Sequence, residues 1–152
     1  MLVVREGSDI FTAKYAKGAN RSLVLPTMHI EAVGFEIVDS SVRVHKVLGP
    51  GLLESAYKPC LAYELRKRGL KVQTEVELPI VYDSVRVAVG YRIDQLVEDS
   101  VIVELKAVTR VLKVHDAQLL SHLKLSGMKL GFRINFHVVR LKDGIRRMVN
   151  NL

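Results

Sequence analysis

The order of apolar and polar positions along the chain predicts three helices and a group of strands. Over residues 30–48, apolar side chains recur every three or four positions, which is the period of one helix face. The sequence "GPG" at 49–51 ends this helix, because proline cannot continue it and glycine tolerates a positive φ. The same period predicts a second helix over about 53–68, whose apolar face begins at Leu53, and a third over about 115–126; a glycine follows each.

Between the second and third helices the period of the pattern changes to two. The segment 71–108 is rich in valine and isoleucine and is interrupted by polar turns at 83–84 and 98–100. This pattern predicts several strands in a meander. One or two further strands are predicted over about 129–141, and a turn and a short basic tail end the chain.

The pattern also divides the chain into two parts. Residues 1–28 are irregular and include a small, polar stretch closed by Pro26, so we expect a loose N-terminal extension. Residues 29–152 carry the regular pattern and form one predicted domain, which suits a chain of 152 residues. Because Met28 stands at this boundary, translation from Met1 and translation from Met28 both agree with the pattern.

The charge of the chain suggests a class of partner. There are 23 Lys and Arg residues against 16 Asp and Glu residues, a formal net charge of +7. Such an excess favours a polyanion such as nucleic acid, because lysine and arginine neutralise phosphates. A basic surface that serves solubility is the alternative, since the positive residues form no single run.

The cysteine content and hydropathy bear on the compartment. The single cysteine, Cys60, excludes an intrachain disulfide, and its apolar neighbours at helical spacing predict a buried, inert thiol. No apolar run approaches the length of a membrane span, and the first residues lack the long apolar stretch of a signal peptide. We therefore expect a cytoplasmic protein with no membrane partner.

The strands on either side of the second turn contain three charged residues. With this turn, residues 96–97 face residues 101–102, all of them apolar, and Asp94 then faces Glu104. Directly opposed side chains have Cβ atoms about 4.5–5.5 Å apart, so the two carboxylates repel each other. Alternation by two places Lys106 on the same face of the sheet.

A divalent cation would compensate this repulsion. Mg²⁺ prefers oxygen ligands and is often held by one or two carboxylates together with a phosphate of the substrate. The lysine then helps to activate a water molecule or stabilises negative charge on the phosphate. These parts describe metal-assisted attack of water on a phosphodiester. The residues leave one alternative open, a solvated strand end with a local Glu104–Lys106 ion pair.

One motif gives this site a family resemblance. Asp94, followed by Glu104-Leu105-Lys106, resembles the PD-(D/E)XK motif of the restriction-endonuclease-like nuclease superfamily. Ile93 replaces the proline of that motif, which removes no ligand. The resemblance implies an α/β (α+β) fold, with a central mixed β-sheet flanked by helices and a restriction-endonuclease-like core. It also implies that Asp94, Glu104 and the backbone carbonyl of Leu105 bind Mg²⁺ or Mn²⁺, and that Lys106 is the catalytic lysine.

A second motif narrows the resemblance. "GPGLLESAY" contains Gly51, Glu54 and Tyr57 in the G-x-x-E-x-x-Y spacing that names the GxxExxY protein family, and four further segments between 30 and 149 are similar to that family. Glu54 then matches an acidic residue close to the metal, which it contacts directly or through a water. Two alternatives stay open: Glu54 favours the helix dipole and nothing more, and Tyr57 belongs to the core.

The helix after the catalytic strand supplies the remaining candidates. Gln118 matches the glutamine of a Q-x-x-x-Y motif, which implies that it orients the lysine or contacts the substrate. His122 replaces the tyrosine of that motif and shares the helix face of Gln118, so it is a candidate for phosphate contact. Further candidates for nucleic-acid contact are Arg110, Lys113, Lys124 and Arg133. For each of them a solvated face is the alternative.

The sequence thus predicts an enzyme, a nuclease that depends on Mg²⁺ or Mn²⁺ and hydrolyses phosphodiester bonds of nucleic acid, with DNA favoured over RNA. Its catalytic residues would be Lys106, Glu54 and Gln118. The alternative is a non-catalytic module that binds nucleic acid or a nucleotide on the same fold. A third interpretation is an interaction protein whose charged cluster is structural. A homodimer is a candidate assembly, because small nucleases often need a second protomer to cut both strands.

Overall fold

The structure is a computed structural model that describes residues 28–151. In chain order its elements are α1 (Ile30–Leu48), α2 (Glu54–Lys67), β1 (Val72–Tyr82), β2 (Val85–Val97), β3 (Val101–Lys106), α3 (Lys113–Ser126), β4 (Leu130–Asn135), a 3₁₀ turn (Leu141–Asp143) and β5 (Ile145–Val149). The first helix has the predicted bounds, and the other two differ from the prediction by at most two residues at either end. The predicted N-terminal extension falls on residues 1–28, of which 1–27 lie outside the described residues.

Five strands form one mixed sheet in the order β1–β2–β3–β4–β5. β1, β2 and β3 are antiparallel neighbours joined by the two predicted turns, which confirms the meander. β4 lies parallel to β3, and α3 forms the crossover that a parallel pair requires. β5 returns antiparallel to β4. The predicted fold class, a central mixed sheet flanked by helices, is confirmed.

The helices cover both faces of the sheet and divide the core in two. α1 and α2 lie on one face, where Ile37 and Leu61 pack with the odd-numbered residues of β3 in the larger hydrophobic cluster. α3 lies on the other face, where Leu119 and Leu123 pack against Ile102 in a smaller cluster. Because successive strand residues alternate between faces, the even-numbered residues of β3 are directed towards α3.

Two apolar residues, one in α2 and one just before it, are less buried than their helical spacing predicts. Leu53 is 77% exposed, because it precedes the first turn of α2 and stands outside the buried stripe of the helix. Cys60 is half-buried and lines a cleft between α1 and α2, so the prediction of a buried thiol is wrong. Within residues 28–151, no helix combines the length and the apolar character that crossing a bilayer demands.

The loop between α1 and α2 is fixed by Tyr57, which is fully buried. Its hydroxyl donates to the carbonyl oxygen of Gly49 at 2.6 Å and accepts from the N–H of Leu52 at 3.1 Å. Gly51 has a φ of +101°, a conformation that favours glycine. The first and last residues of the G-x-x-E-x-x-Y motif therefore shape the loop, which sets where α2 begins and where Glu54 stands.

Candidate metal and catalytic site

The candidate site lies where β2 separates from β3. The last residue pair between these strands is Gln95 opposite Val103, whereas the pairing of β2 with β1 continues beyond this point. Asp94 directly precedes Gln95 in β2, and Oδ2 of Asp94 accepts a hydrogen bond from the N–H of Leu105 at 2.9 Å. The side chain of Asp94 thus bonds a β3 amide where main-chain pairing stops, which fixes the carboxylate against β3.

Glu104 of β3 continues the strand register opposite Asp94. The apolar pairs predicted nearer the turn are confirmed. Glu104 is 2% exposed, and its Oε1 lies 2.7 Å from Nδ1 of His122 in α3. Since an ionised carboxylate can only accept hydrogen bonds, Nδ1 of His122 carries the proton of this bond whenever Glu104 is ionised.

The pKa of Glu104 reports how the two carboxylates affect each other. Burial raises the pKa of Glu104 above its ordinary value of 4.5, and the negative charge of Asp94 raises it further. The hydrogen bond and the charge of His122 act in the opposite direction without cancelling the rise. Glu104 therefore binds a proton more readily than an exposed glutamate does.

His122 of α3 bonds Glu104 from the α3 face of the sheet. It is 1% exposed, and its Nε2 has no hydrogen-bond partner among the described residues. The ring of Tyr91 stands edge-on to it, with 6.0 Å between the ring centroids. The structure places His122 away from the phosphate contact predicted for it, because this face of α3 packs against the sheet.

Lys58 of α2, which the sequence analysis did not single out, supplies the positive charge next to Asp94. Its Nζ lies 2.7 Å from Oδ1 of Asp94 and 3.4 Å from one carboxylate oxygen each of Glu54 and Glu75. Partial burial lowers the pKa of Lys58, but the hydrogen bond and charge of Asp94, with the charges of the two glutamates, outweigh it and raise the pKa above its ordinary value. The ammonium that meets Asp94 thus comes from the helix, not from Lys106.

Glu54 reaches the site through Lys58. It is the first residue of α2 and lies one helical turn before the lysine, so the two side chains share a helix face. Glu54 contacts the same ammonium as Asp94, which places it at the border of the site. Within residues 28–151, no three acidic, histidine or cysteine side chains are grouped closely enough to form a complete metal-ligand set.

Lys106 ends β3 and is half-buried. The loop just after it is held by Asn135 of β4. Oδ1 of Asn135 accepts from the N–H of Val108 at 3.0 Å, and Nδ2 of Asn135 donates to the carbonyl oxygen of Val108 at 2.9 Å. The main-chain carbonyl of Lys106 also accepts from the N–H of Phe136 at 2.8 Å. Lys106 therefore stands on rigid backbone, on the Glu104 face of the strand.

The remaining predicted residues are spread over the α3 side of the molecule. Gln118 is half-buried and lies one turn before His122. Arg133 is 8% exposed and donates from Nε to Asp116 at 2.6 Å, so it stands away from the nucleic-acid contact predicted for it. The exposed basic candidates are Arg110, Lys113 and Lys124.

Asp94 opens onto a cleft of about 770 Å³ between α2 and the β1–β2 hairpin. Its lining residues are Leu53, Glu54, Ser55, Lys58, Pro59, Ala62, Arg66, Thr74, Glu75 and Asp94. The cleft is lined by three carboxylates, of Glu54, Glu75 and Asp94, and by two basic side chains, of Lys58 and Arg66. The two basic side chains are the groups there with which a phosphate can pair.

The donor atoms of the site fit Mg²⁺ or Mn²⁺. Asp94, Glu104 and the carbonyl of Leu105 offer oxygen ligands, which both ions prefer. A cation bound there would offset the burial and the charge of Asp94, which both disfavour the ionised form of Glu104. The ammonium of Lys58 contacts Oδ1 of Asp94, so it has to leave that oxygen before an ion can bind there.

The protein thus has a mixed sheet that carries an Asp on one strand and a Glu-x-Lys triplet on the adjacent strand. A family model described as the PD-(D/E)XK nuclease superfamily matches residues 31–148, which include all three of these residues. The chain therefore belongs to the PD-(D/E)XK nuclease superfamily. No curated protein and no solved structure matches the chain.

Two residues that position the site were missed, and each left a signal in the sequence. Lys58 lies four residues after Glu54, a spacing that puts both on one helix face. Asn135 is an amide between the apolar residues Ile134 and Phe136, where a buried polar group needs a specific partner. Neither signal names the partner, because both contacts join segments that are distant in the sequence.

Proposed function

We propose that the protein is a nuclease that depends on Mg²⁺ or Mn²⁺ and hydrolyses phosphodiester bonds of nucleic acid, with DNA favoured over RNA. The observation that carries the proposal is the placement of Asp94 beside Glu104, with Lys106 following on the same face of β3. Membership of a nuclease superfamily supports the same reaction class.

Each residue has a distinct task in this proposal. Asp94, Glu104 and the Leu105 carbonyl hold the ion, which when bound supplies a positive charge for the phosphate and lowers the pKa of water. Lys106 positions the attacking water and stabilises the charge that develops on the phosphate. His122 keeps the carboxylate of Glu104 oriented through the 2.7 Å hydrogen bond.

Glu54 and Gln118 are the outer members of the proposed site. Glu54 borders the site, and its carboxylate lies 3.4 Å from the ammonium of Lys58. At this distance Glu54 can pair with the ammonium when Lys58 leaves Asp94. Gln118 precedes His122 by one turn of α3 and is the candidate to orient Lys106 or to contact the substrate. Both roles rest on the family resemblance as well as on these placements.

The net charge of +7 supports a nucleic-acid substrate. Arg110, in the loop after β3, and Lys113 and Lys124 of α3 are exposed and offer phosphate contacts. Binding through such contacts weakens as salt rises, because condensed counterions are released. The GxxExxY assignment, a homodimer and a cytoplasmic location remain predictions from the sequence.

A non-catalytic binding module is the second candidate, and one observation favours it. Lys58 already neutralises Asp94, so the site is partly compensated without a metal ion. Such a module would bind nucleic acid or a nucleotide in the cleft without cutting it.

Cleavage assays distinguish the two candidates. Labelled single- and double-stranded DNA and RNA are incubated with Mg²⁺, Mn²⁺ or EDTA. The wild type is compared with Lys106→Ala and with Lys142→Ala, which changes an exposed lysine of the 3₁₀ turn that is not a candidate site residue. The proposal expects metal-dependent cleavage that Lys106→Ala abolishes and Lys142→Ala retains. Salt-sensitive binding without cleavage, under every metal, would instead establish the binding module.

A further inference from the structure

Lys58 is held at the site by its backbone as well as by its charge. Its main-chain carbonyl accepts a 2.7 Å hydrogen bond from Nε2 of Gln95, a fully buried residue that follows Asp94 in β2. This bond joins the turn of α2 that carries Lys58 to the strand that carries Asp94. The 2.7 Å ion pair between Lys58 and Asp94 is therefore part of the packing between helix and strand.

The ammonium of Lys58 has other partners within reach. Glu54 and Glu75 each place an oxygen 3.4 Å from Nζ, and the partly exposed side chain of Lys58 borders the open cleft. A lysine side chain is flexible and carries its charge as a point on a long stem. Lys58 can thus leave Asp94 while keeping a negative partner, or meet an anion that enters the cleft.

A divalent cation and Lys58 compete for Asp94. Both are positive, and like charges a few ångströms apart repel strongly in a partly desolvated site. A cation held by Asp94 and Glu104 therefore requires the ammonium to leave Oδ1. A phosphate in the cleft favours that departure, because Lys58 then exchanges a carboxylate oxygen for a phosphate oxygen.

We propose that Lys58 couples the binding of the metal ion to the binding of a phosphodiester backbone. Without nucleic acid it occupies Asp94 and weakens metal binding, and with nucleic acid it turns to a backbone phosphate and leaves Asp94 to the metal. This coupling rests on the proposed function of the site. By linkage, nucleic acid raises the affinity for the metal by the same factor as the metal raises the affinity for nucleic acid.

The coupling is measured through Mn²⁺ binding, followed by the electron paramagnetic resonance signal of free Mn²⁺. The full chain is titrated with and without a short oligothymidylate, after subtraction of the Mn²⁺ that the oligonucleotide binds alone. Lys106→Ala is present throughout, so that the oligonucleotide stays intact. We expect the oligonucleotide to tighten Mn²⁺ binding about tenfold in this parent protein.

Lys58→Met removes the competing charge. It should tighten Mn²⁺ binding about tenfold without the oligonucleotide and reduce the effect of the oligonucleotide to less than about threefold. Lys58→Gln, which keeps a hydrogen-bond donor for Asp94, should do the same and serves if the methionine variant fails to fold. Lys67→Met is the matched control, because this exposed lysine lies on the same helix and loses the same charge.

Three outcomes would overturn the coupling. If Lys58→Met and Lys67→Met bind Mn²⁺ with equal affinity, or if the effect of the oligonucleotide survives in Lys58→Met, Lys58 does not couple the two ligands. If Asp94→Asn binds Mn²⁺ as well as its parent does, the metal site itself is wrong, and the proposed function fails together with the coupling. The Asp94→Asn variant thus separates the two failures.

Discussion

The two carboxylates of the site are compensated in different ways. Asp94 meets the ammonium of Lys58 on the side of the open cleft, and that lysine has two other carboxylates within reach. Glu104 meets the imidazole of His122 on the buried side, where both residues are at most 2% exposed. One partner can move away into solvent, and the other is fixed by packing.

This difference assigns different tasks to the two sides of the sheet. A buried carboxylate with a fixed hydrogen-bond donor has a defined orientation before any ligand arrives. A carboxylate at the edge of a cleft, with an exchangeable partner, can respond to what enters the cleft. We therefore expect that removal of the fixed partner, His122, changes folding more, and that removal of the exchangeable partner, Lys58, changes ligand coupling more.

The largest effect is expected when either carboxylate is neutralised and cleavage is measured. Asp94→Asn and Glu104→Gln should each lower the cleavage rate about a hundredfold or more, because each removes a ligand of the ion that stabilises the transition state. Asp39→Asn, an exposed acidic residue of α1, is the control and should cleave normally. Normal cleavage by Asp94→Asn would show that Asp94 is not a ligand of the metal ion.

The next largest effect is expected for His122. His122→Ala leaves Glu104 buried without its donor, and we expect it to lower the free energy of unfolding by about 3 kcal/mol. His122→Gln, which can still donate an N–H to the carboxylate, should recover most of that loss. Urea unfolding monitored by circular dichroism checks both. Equal losses for the two variants would show that packing, not the hydrogen bond, is what His122 contributes.

A smaller effect on folding is expected for Lys58. Lys58→Met should lower the free energy of unfolding by about 1 kcal/mol in metal-free buffer, because water from the cleft can replace the ammonium and Asp94 keeps its bond to Leu105. The same unfolding experiment with Lys67→Met gives the reference. A loss as large as that of His122→Ala would contradict the proposed difference between the two sides.

The smallest effect is expected for Glu104→Gln in metal-free protein, and it depends on pH. A raised pKa means that folded Glu104 binds a proton more readily than the unfolded chain does. The contribution of this bound proton to the stability of the folded protein is therefore fully present below the ordinary pKa of 4.5. It is lost as pH rises through the raised pKa of Glu104.

Glu104→Gln removes this loss together with the repulsion from Asp94. Its melting temperature relative to wild type should therefore increase as pH rises above 4.5. Thermal unfolding with EDTA between acidic and neutral pH measures the difference. A melting temperature that falls further below wild type as pH rises would contradict the sign of the pKa shift.

Much of the fold could be predicted because its signals are local. The bounds of α1 follow from its apolar period and from "GPG", and the register of β2 against β3 follows from the position of one turn. That register also identifies Asp94 and Glu104 as neighbours. Leu53 shows the limit of the same reasoning, because a residue one position before a helix leaves its stripe.

The partners of the site could not be predicted because they join distant segments. Lys58 and Asp94 are brought together by the packing of α2 on the sheet, and His122 meets Glu104 only after the α3 crossover is made. Helical spacing for His122, and strand alternation for Arg133, left both side chains free to contact solvent. Their burial depends on which face of α3 and β4 turns inward, and single-sequence patterns leave that choice open.

The most direct test of the metal site is a crystal structure of the protein grown with Mn²⁺ and examined by anomalous scattering. We expect an anomalous peak between Asp94 and Glu104, with the ammonium of Lys58 withdrawn from Asp94 and the Glu104–His122 hydrogen bond unchanged. A map without a peak at this position, in which Lys58 still contacts Asp94 at saturating Mn²⁺, would contradict it.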